Sequence, residues 1–249
     1  MKYPKIGRKI IWLDEVSSTN DYANGISKDL DSHGVVVAAN FQVQGRGQRG
    51  NSWESEKGKN LLCSILLWPN FLEVQQQFLL SKVASLAVCD VLNTEIADVA
   101  IKWPNDIYVK NSKIGGILIE NSFSSPYLDS SIVGLGVNLN QTAFSQDIPN
   151  PTSLLLETGK EIEVKKFLND LCVAFDKRFN TLIDNDCDKL SEDYFNSLYR
   201  KDNYYKYRAG GEVFKAKIVG VKNSGELILQ TEEGTQRVFA FKEVSFVVQ

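Results

Sequence analysis

Short apolar runs alternate along the chain with longer stretches of helical period, and each change of period marks an element. Lys9-Ile10-Ile11-Trp12-Leu13 is short, apolar and β-branched, which predicts a strand. Ser17, Ser18 and Thr19 then offer capping oxygens to a helix from Asn20 to Lys28. Val35 to Ala39 is continuously apolar between Gly34 and Asn40, as in a buried strand, and Leu61 to Leu67 repeats the pattern. Glu73 to Leu92 follows a helical period. Four strands follow: Val99 to Lys102, Ile107 to Val109, Ile114 to Glu120, and Ser131 to Leu139 with Gly134 and Gly136 inside it. Val164 to Ile183 and Lys189 to Tyr199 read as amphipathic helices. From about Lys201 the turn signals crowd together at Gly210-Gly211, Asn223-Ser224-Gly225 and Glu232-Glu233-Gly234. Between them lie Val213 to Val221, Leu227 to Gln230, Arg237 to Phe241 and Val244 to Val248, all β-rich. The pattern predicts an α+β chain, with a larger unit over 1–200 and a small, compact all-β barrel over 201–249.

Composition narrows the classes. The 249 residues are 43% hydrophobic and 24% charged, ordinary for a globular protein. A net charge of −3 argues against a broad nucleic-acid footprint. His33 is the single histidine, which excludes a histidine-rich metal site and any Ser-His-Asp triad not built on it. Cys63, Cys89, Cys172 and Cys187 form no CxxC pair, so buried thiols in a reducing cytosol are expected rather than a zinc ribbon or redox motif. The start of the chain lacks a signal-peptide core, and no apolar run reaches the ~18 residues of a membrane span. A soluble, cytoplasmic protein is expected.

Four segments carry candidate chemistry. Gln42 to Trp53 holds glycines at 45, 47 and 50, which permit positive φ and close backbone approach to an anion. Arg46 and Arg49 add charge, no acidic residue of the stretch cancels them, and Trp53 offers a stacking face. A flexible solvated loop is the plainer alternative. Lys102-Trp103-Pro104-Asn105-Asp106 sits at a strand end, where sites gather, or is an ordinary polar turn. Lys113 opens a strand through Gly115 and Gly116 and either points into a cleft or protects a sheet edge. Gly134 to Asn140 either borders a ligand or packs a central strand tightly.

Taken together, these segments resemble the biotin protein ligases. Ser18-Thr19-Asn20, GRGQRGNSW at 45–53, KWPND at 102–106, Lys113-Ile114-Gly115-Gly116 and GLGVNLN at 134–140 match that family's hallmarks in order. The likeness covers essentially the whole chain, tail included. It implies a mixed central sheet with helices packed on it, like class II synthetases and lipoate ligases, plus an SH3-like C-terminal barrel. It also implies joining of biotin to ATP, with Mg²⁺, as biotinyl-5′-AMP, then transfer to one lysine of a biotin carboxyl carrier protein. By the resemblance Lys113, Arg46 and Arg49 hold the carboxylate and phosphate, Lys102 assists, and Asp106 orients Mg²⁺ or the incoming amine. Ser18, Thr19, Asn20 and Gln42 serve the ureido ring of biotin, with Gly47, Gln48, Gly115 and Gly116 on the same side. Trp53 covers the adenine, and Asn105 and Asn138 line the nucleotide side. Gln48 and Asn51 stand where the family's loop often carries arginine, which shifts work onto Arg46, Arg49 and Lys113. Seventeen residues precede Ser18, too few for the winged-helix domain of some members, so no DNA partner is expected; a homodimer stays open. Two rivals remain, a lipoate–protein ligase and a non-catalytic biotin-sensing module.

Overall fold

The computed structural model describes residues 3–26 and 30–247, the side chains of Leu30 and Arg49 excepted. Its elements are β1 (Lys9–Leu13), α1 (Thr19–Asn24), β2 (Val35–Ala39), β3 (Leu61–Leu67), α2 (Phe78–Leu92), β4 (Val99–Lys102), β5 (Asp106–Val109) and β6 (Ser112–Ser124). There follow β7 (Tyr127–Val137), α3 (Leu154–Thr158), α4 (Val164–Ile183), α5 (Cys187–Asn196), β8 (Tyr205–Ala209), β9 (Glu212–Val221), β10 (Leu227–Thr231), β11 (Gln236–Phe239) and β12 (Ser245–Phe246). A seven-stranded sheet in the order β1-β2-β3-β7-β6-β5-β4 carries the helices. Only the β1–β2 pair is parallel, so the sheet is mixed as expected.

Strand β2 is buried at every position because both faces of the sheet are covered. Val36 and Ala38 join the main core with α2 and α4, while Val35 and Val37 pack with Ala23 of α1, Leu66 and Ile132. Helix α2 is apolar nearly all round, and only Ser81 and Asp90 escape burial. Arg178 of α4 forks onto Asp90 of α2 and reaches Asp193 of α5, tying the three helices together.

The C-terminal strands form a second, antiparallel sheet in the order β11-β10-β9-β8-β12. Its inward residues, among them Tyr207, Ile218, Leu229 and Phe239, belong to the same core as α2. The Asn223–Gly225 turn is docked against the larger sheet's helix. Phe78 donates its backbone N–H to the Asn223 carbonyl, and the Trp103 indole donates to the Gly225 carbonyl at 2.8 Å. Lys82, buried and held near a pKa of about 8 by that burial, donates to Ser191 and to the Asn223 side chain. Gly225 has φ +110, and a Cβ there would lie 3.0 Å from the Phe78 ring, so the turn requires glycine twice over.

Several boundaries shift from the sequence expectation. The helix expected over 20–28 ends at Asn24, and Lys28 lies outside the described residues. The first turn expected of α2 is a separate 3₁₀ turn, Val74–Gln76. The last strand is Ser245–Phe246 rather than Val244 to Val248, whose final residue is again outside the described set. Helix α3 and strand β8 went unforeseen.

His33 illustrates a wholly structural use of a titratable group. It is fully buried, its Nδ1 accepts the Trp68 backbone N–H at 3.0 Å, and its ring packs between Tyr3 and Phe179. Burial, aided by Arg8, lowers its pKa to about 4. An unfolded histidine titrates near 6.5, so the neutral folded ring's contribution is complete above that pH and is lost as pH falls toward 4. Stability should drop by roughly 2–3 kcal/mol across that window from this group alone. Melting temperatures from pH 7 to 4, read beside the single Hε1 resonance, check this; a ring that titrates near 6.5 in the folded protein contradicts it.

Candidate active site

A cavity of about 330 Å³ opens on the sheet face opposite α2. Strand β7 explains its floor. Val133, Leu135 and Val137 point into the core, whereas Gly134 and Gly136 alternate to the cavity face. A Cβ on Gly134 would sit 2.4 Å from Asn20 Oδ1, and one on Gly136 would sit 2.5 Å from the Trp53 ring. A Cβ on Gly116 of β6 would also approach that ring, at 3.0 Å. The glycines are absent side chains that let Asn20 and Trp53 lie against the sheet. Gly136→Ala should therefore dislodge Trp53 at an overpacking cost of about 1–3 kcal/mol. A raised nucleotide KM with a melting temperature lowered by a few degrees is the expected outcome, and an unchanged KM refutes this placement of Trp53.

One end of the cavity is built of uncharged, closely hydrogen-bonded groups, bordered by the Arg46–Glu120 ion pair. The Thr19 backbone N–H and hydroxyl both donate to Gln42 Oε1, at 2.7 and 2.9 Å. Ser64, wholly buried on β3, brings its hydroxyl within 2.8 Å of Thr19 Oγ1 and 2.6 Å of Asn20 Oδ1. The Asn20 amide in turn donates to Glu120 at 2.7 Å. Ser18 is the N-cap of α1, yet its side chain makes no capping bond, and it lines the cavity. Each group's orientation is fixed by its neighbour, which favours recognition of a polar, uncharged ring.

The other end is cationic, and a β-bulge builds it. Between β5 and β6 the register slips, so Ile107 faces Gly115 while Tyr108 faces Lys113. Ile114 and Gly115 consequently both turn coreward, and Lys113 and Gly116 both face the cavity. Lys113 Nζ pairs with Asp106 Oδ1 at 2.6 Å and stands 5.7 Å from the Trp53 ring centre. Lys102 Nζ donates to the Tyr108 hydroxyl at 2.8 Å and lies over the Tyr108 and Phe246 rings. Burial lowers the Lys102 pKa and raises that of Tyr108, which keeps the phenol protonated as an acceptor for the ammonium. Ser245 and Phe246 of β12, with Phe241 from the turn before it, complete this wall.

The glycine-rich loop differs from its expected form. Within it only Gly50 has positive φ, at +85, and Gly47 is extended at −107. Gly45 is required by close approach instead, since a Cβ there would meet the Trp53 carbonyl oxygen at 2.4 Å. Arg46 is also not uncancelled: it pairs with Asp21 at 2.7 Å and Glu120 at 2.8 Å, both supplied from elsewhere in the chain.

The cavity thus gathers Ser18, Thr19, Asn20, Gln42, Arg46, Gly47, Gln48, Trp53, Lys102, Asn105, Asp106, Lys113 and Gly116 from the sequence expectation. It does not gather Gly115, which faces Ile107, or Asn138, whose amide donates to the Thr152 carbonyl away from the lining. The Arg49 side chain lies outside the described structure. Ser64, Tyr108, Glu120 and the C-terminal residues were missed. A hydroxyl within the otherwise apolar β3 was the one available signal for Ser64. Among the described residues no cluster of three or more His, Cys, Asp or Glu side chains could cage a metal ion, and Asp106 is the sole carboxylate lining the cavity.

Residues 12–138 match the profile of the biotin/lipoate A/B protein ligase family, and residues 206–247 match that of the biotin protein ligase C terminal domain. The bifunctional ligase/repressor BirA of Bacillus spizizenii is 27% identical over 246 residues, spanning 96% of this chain and 75% of that protein. The biotin–[acetyl-CoA-carboxylase] ligase of Paracoccus denitrificans is 36% identical over 172 residues, 66% of this chain and 70% of that one. A biotin protein ligase from Aquifex aeolicus, solved in complex with biotin and ATP, superposes with a TM-score of 0.80 at 28% identity, covering 97% of this chain and 100% of that one.

Proposed function

The chain belongs to the biotin/lipoate A/B protein ligase family, and on that premise we propose how its cavity works. The protein is an ATP-dependent biotin ligase: it activates biotin as biotinyl-5′-AMP and passes the biotinyl group to a lysine of a biotin carboxyl carrier domain. One observation supports the division of labour best, namely a neutral hydrogen-bonded end and a cationic end separated by an indole lying on glycines.

In the first step the biotin carboxylate attacks the α-phosphorus, the bond to pyrophosphate breaks, and a mixed anhydride forms. The carboxylate is already ionised at neutral pH, so no general base is needed. The barrier lies in bringing two anions together, and cations at the point of attack lower it. Lys113 and Lys102 stand there, with Arg49 on the adjoining loop. Arg46 reaches the substrate only by exchanging Asp21 and Glu120 for its anion. Thr19, Gln42 and Ser18 face the ureido ring, and Trp53 and Asn105 the nucleotide. The carboxylate-poor lining suits Mg²⁺ that arrives on the triphosphate, as hydrated MgATP held by few protein ligands. Magnesium there neutralises phosphate charge. In the second step the lysine amine attacks the acyl carbon, the bond to AMP breaks, and the amine loses a proton.

We place the reaction in the cytoplasm, where the free thiols of Cys63, Cys89, Cys172 and Cys187 stay reduced. Residues 201–249 serve as a small module, packed on the larger unit, that closes one wall of the cavity. The test is mass spectrometry of the protein with biotin, MgATP and an apo carrier domain. A mass gain of one biotinyl group on one lysine is expected; pyrophosphate release without transfer points to the biotin-sensing reading.

A further inference from the structure

A second cavity, of about 510 Å³, adjoins the first. The two share Gln48, Pro104, Asn105, Ile117, Leu118 and Phe241, so one opens beside the other. Its outer rim is Asn121 of β6, Gln77 and Ser81 at the start of α2, and Glu226 beside the Asn223–Gly225 turn.

The electrostatic character reverses between the two. The first is lined by Arg46, Lys102 and Lys113. Among the described residues the second has no cationic lining side chain, and its one ionisable lining group is Glu226. The Ser224 hydroxyl donates to that carboxylate and holds it below the usual range. Lys222, on the same turn, is exposed and does not line the cavity. Two further oxygens, Gln48 Oε1 and Asn121 Oδ1, are buried without a hydrogen-bond partner among the described residues. The Asn121 amide donates to Gln77 Oε1 at 3.0 Å, which fixes the direction of its oxygen. The cavity therefore offers a carboxylate, with two unpaired acceptor oxygens lying just beneath its surface, set among the apolar side chains of Phe78, Pro104 and Ile119. Its complement is a group with an apolar stem and a cationic head rich in N–H donors. A buried acceptor left unpaired costs about 1–3 kcal/mol, so the match discriminates as well as attracts.

We propose that this second cavity is the entry for the acceptor lysine of the carrier domain, whose ammonium Glu226 and Asn121 draw in from the side opposite the phosphates. The inference rests on the ligase reading. It separates the traffic of the two steps: anions enter over Lys102 and Lys113, and the cationic nucleophile enters past Glu226. At the junction the ammonium first gives up a proton to solvent, the amine attacks the anhydride carbonyl, AMP leaves, and the second nitrogen proton follows to solvent.

The experiment compares the parent with Glu226→Gln and Asn121→Leu, using an apo biotin carboxyl carrier domain as probe. Pyrophosphate release with biotin and MgATP is measured first, then single-turnover transfer from preformed adenylate, then trapping of the adenylate by hydroxylamine, an amine too small to need docking. The carrier KM should rise roughly tenfold in each variant. Pyrophosphate release and hydroxylamine trapping should stay within about twofold of the parent. Glu226→Gln keeps the side chain's shape, so it tests the charge even if Asn121→Leu folds poorly. An unchanged carrier KM in Glu226→Gln overturns the inference, as does a parallel loss of pyrophosphate release. A parent that releases no pyrophosphate overturns the ligase reading itself, and this inference with it.

Discussion

Lipoate offered with MgATP should release pyrophosphate roughly 10⁴-fold more slowly than biotin in kcat/KM. The reason lies at the neutral end of the cavity. Thr19, Gln42, Ser64 and Asn20 hold one another in fixed orientations, so their remaining donors and lone pairs are set for a polar ring. A dithiolane ring brings no strong donors or acceptors, so seating it there strips water from these polar groups and returns no hydrogen bond. A merely apolar pocket discriminates far less, by about 10–200-fold for a missing methylene. Parallel assays of the two acids at matched MgATP decide the matter. Comparable turnover of lipoate would falsify the biotin assignment and favour a lipoate ligase.

Lys113→Ala should slow adenylate formation by about 10²–10³-fold while barely moving the melting temperature. Lys113 and Asp106 are each roughly a quarter exposed, and such a pair contributes about 1 kcal/mol or less to folding. In the reaction the same ammonium meets charge building at phosphorus inside a site walled by Trp53 and the sheet, where an oriented cation is worth more than in water. Rapid-quench measurement of biotinyl-5′-AMP, beside a thermal melt, separates the two roles. A variant that melts normally and adenylates within tenfold of the parent removes Lys113 from the chemistry.

Much of this site could be read from the chain, for a physical reason. Lys102, Asp106, Lys113, Gly134 and Gly136 fall in short motifs whose residue types are dictated by local geometry: strand ends, hairpins and close backbone approach. What could not be read depends on contacts across long sequence separations. Arg46 has no acidic neighbour within its loop, but its carboxylate partner Glu120 lies 74 residues on. Ser64 sits in LLCSILL and reads as one more core position, because nothing local says that α1 will bring Thr19 and Asn20 over it. The motif sets Asn138 toward the nucleotide, whereas in the fold its amide donates to the Thr152 carbonyl and the residue does not line the cavity. Helix α3 has five residues, too few to establish a period, and its cap at Ser153 is visible only once the fold is known. Strand β8 alternates lysine and arginine with tyrosine and alanine over five positions, a rhythm masked by its charges.

The bulge between β5 and β6 gives the site an arithmetic as well as a chemistry. An ordinary strand sends residues three apart to opposite faces, so Lys113 and Gly116 share a face only because the strand is out of phase by one. Adding a single residue between them while the bulge stays would carry the ammonium through the sheet to the apolar side, whereas removing one would erase the bulge and keep both on the cavity face, two apart. Across this stretch, then, the segment tolerates a return to regular phase but not one residue more. Isoleucine and glycine at 114 and 115 act as spacers, and substitutions there that keep the count intact leave the lysine's aim to the backbone.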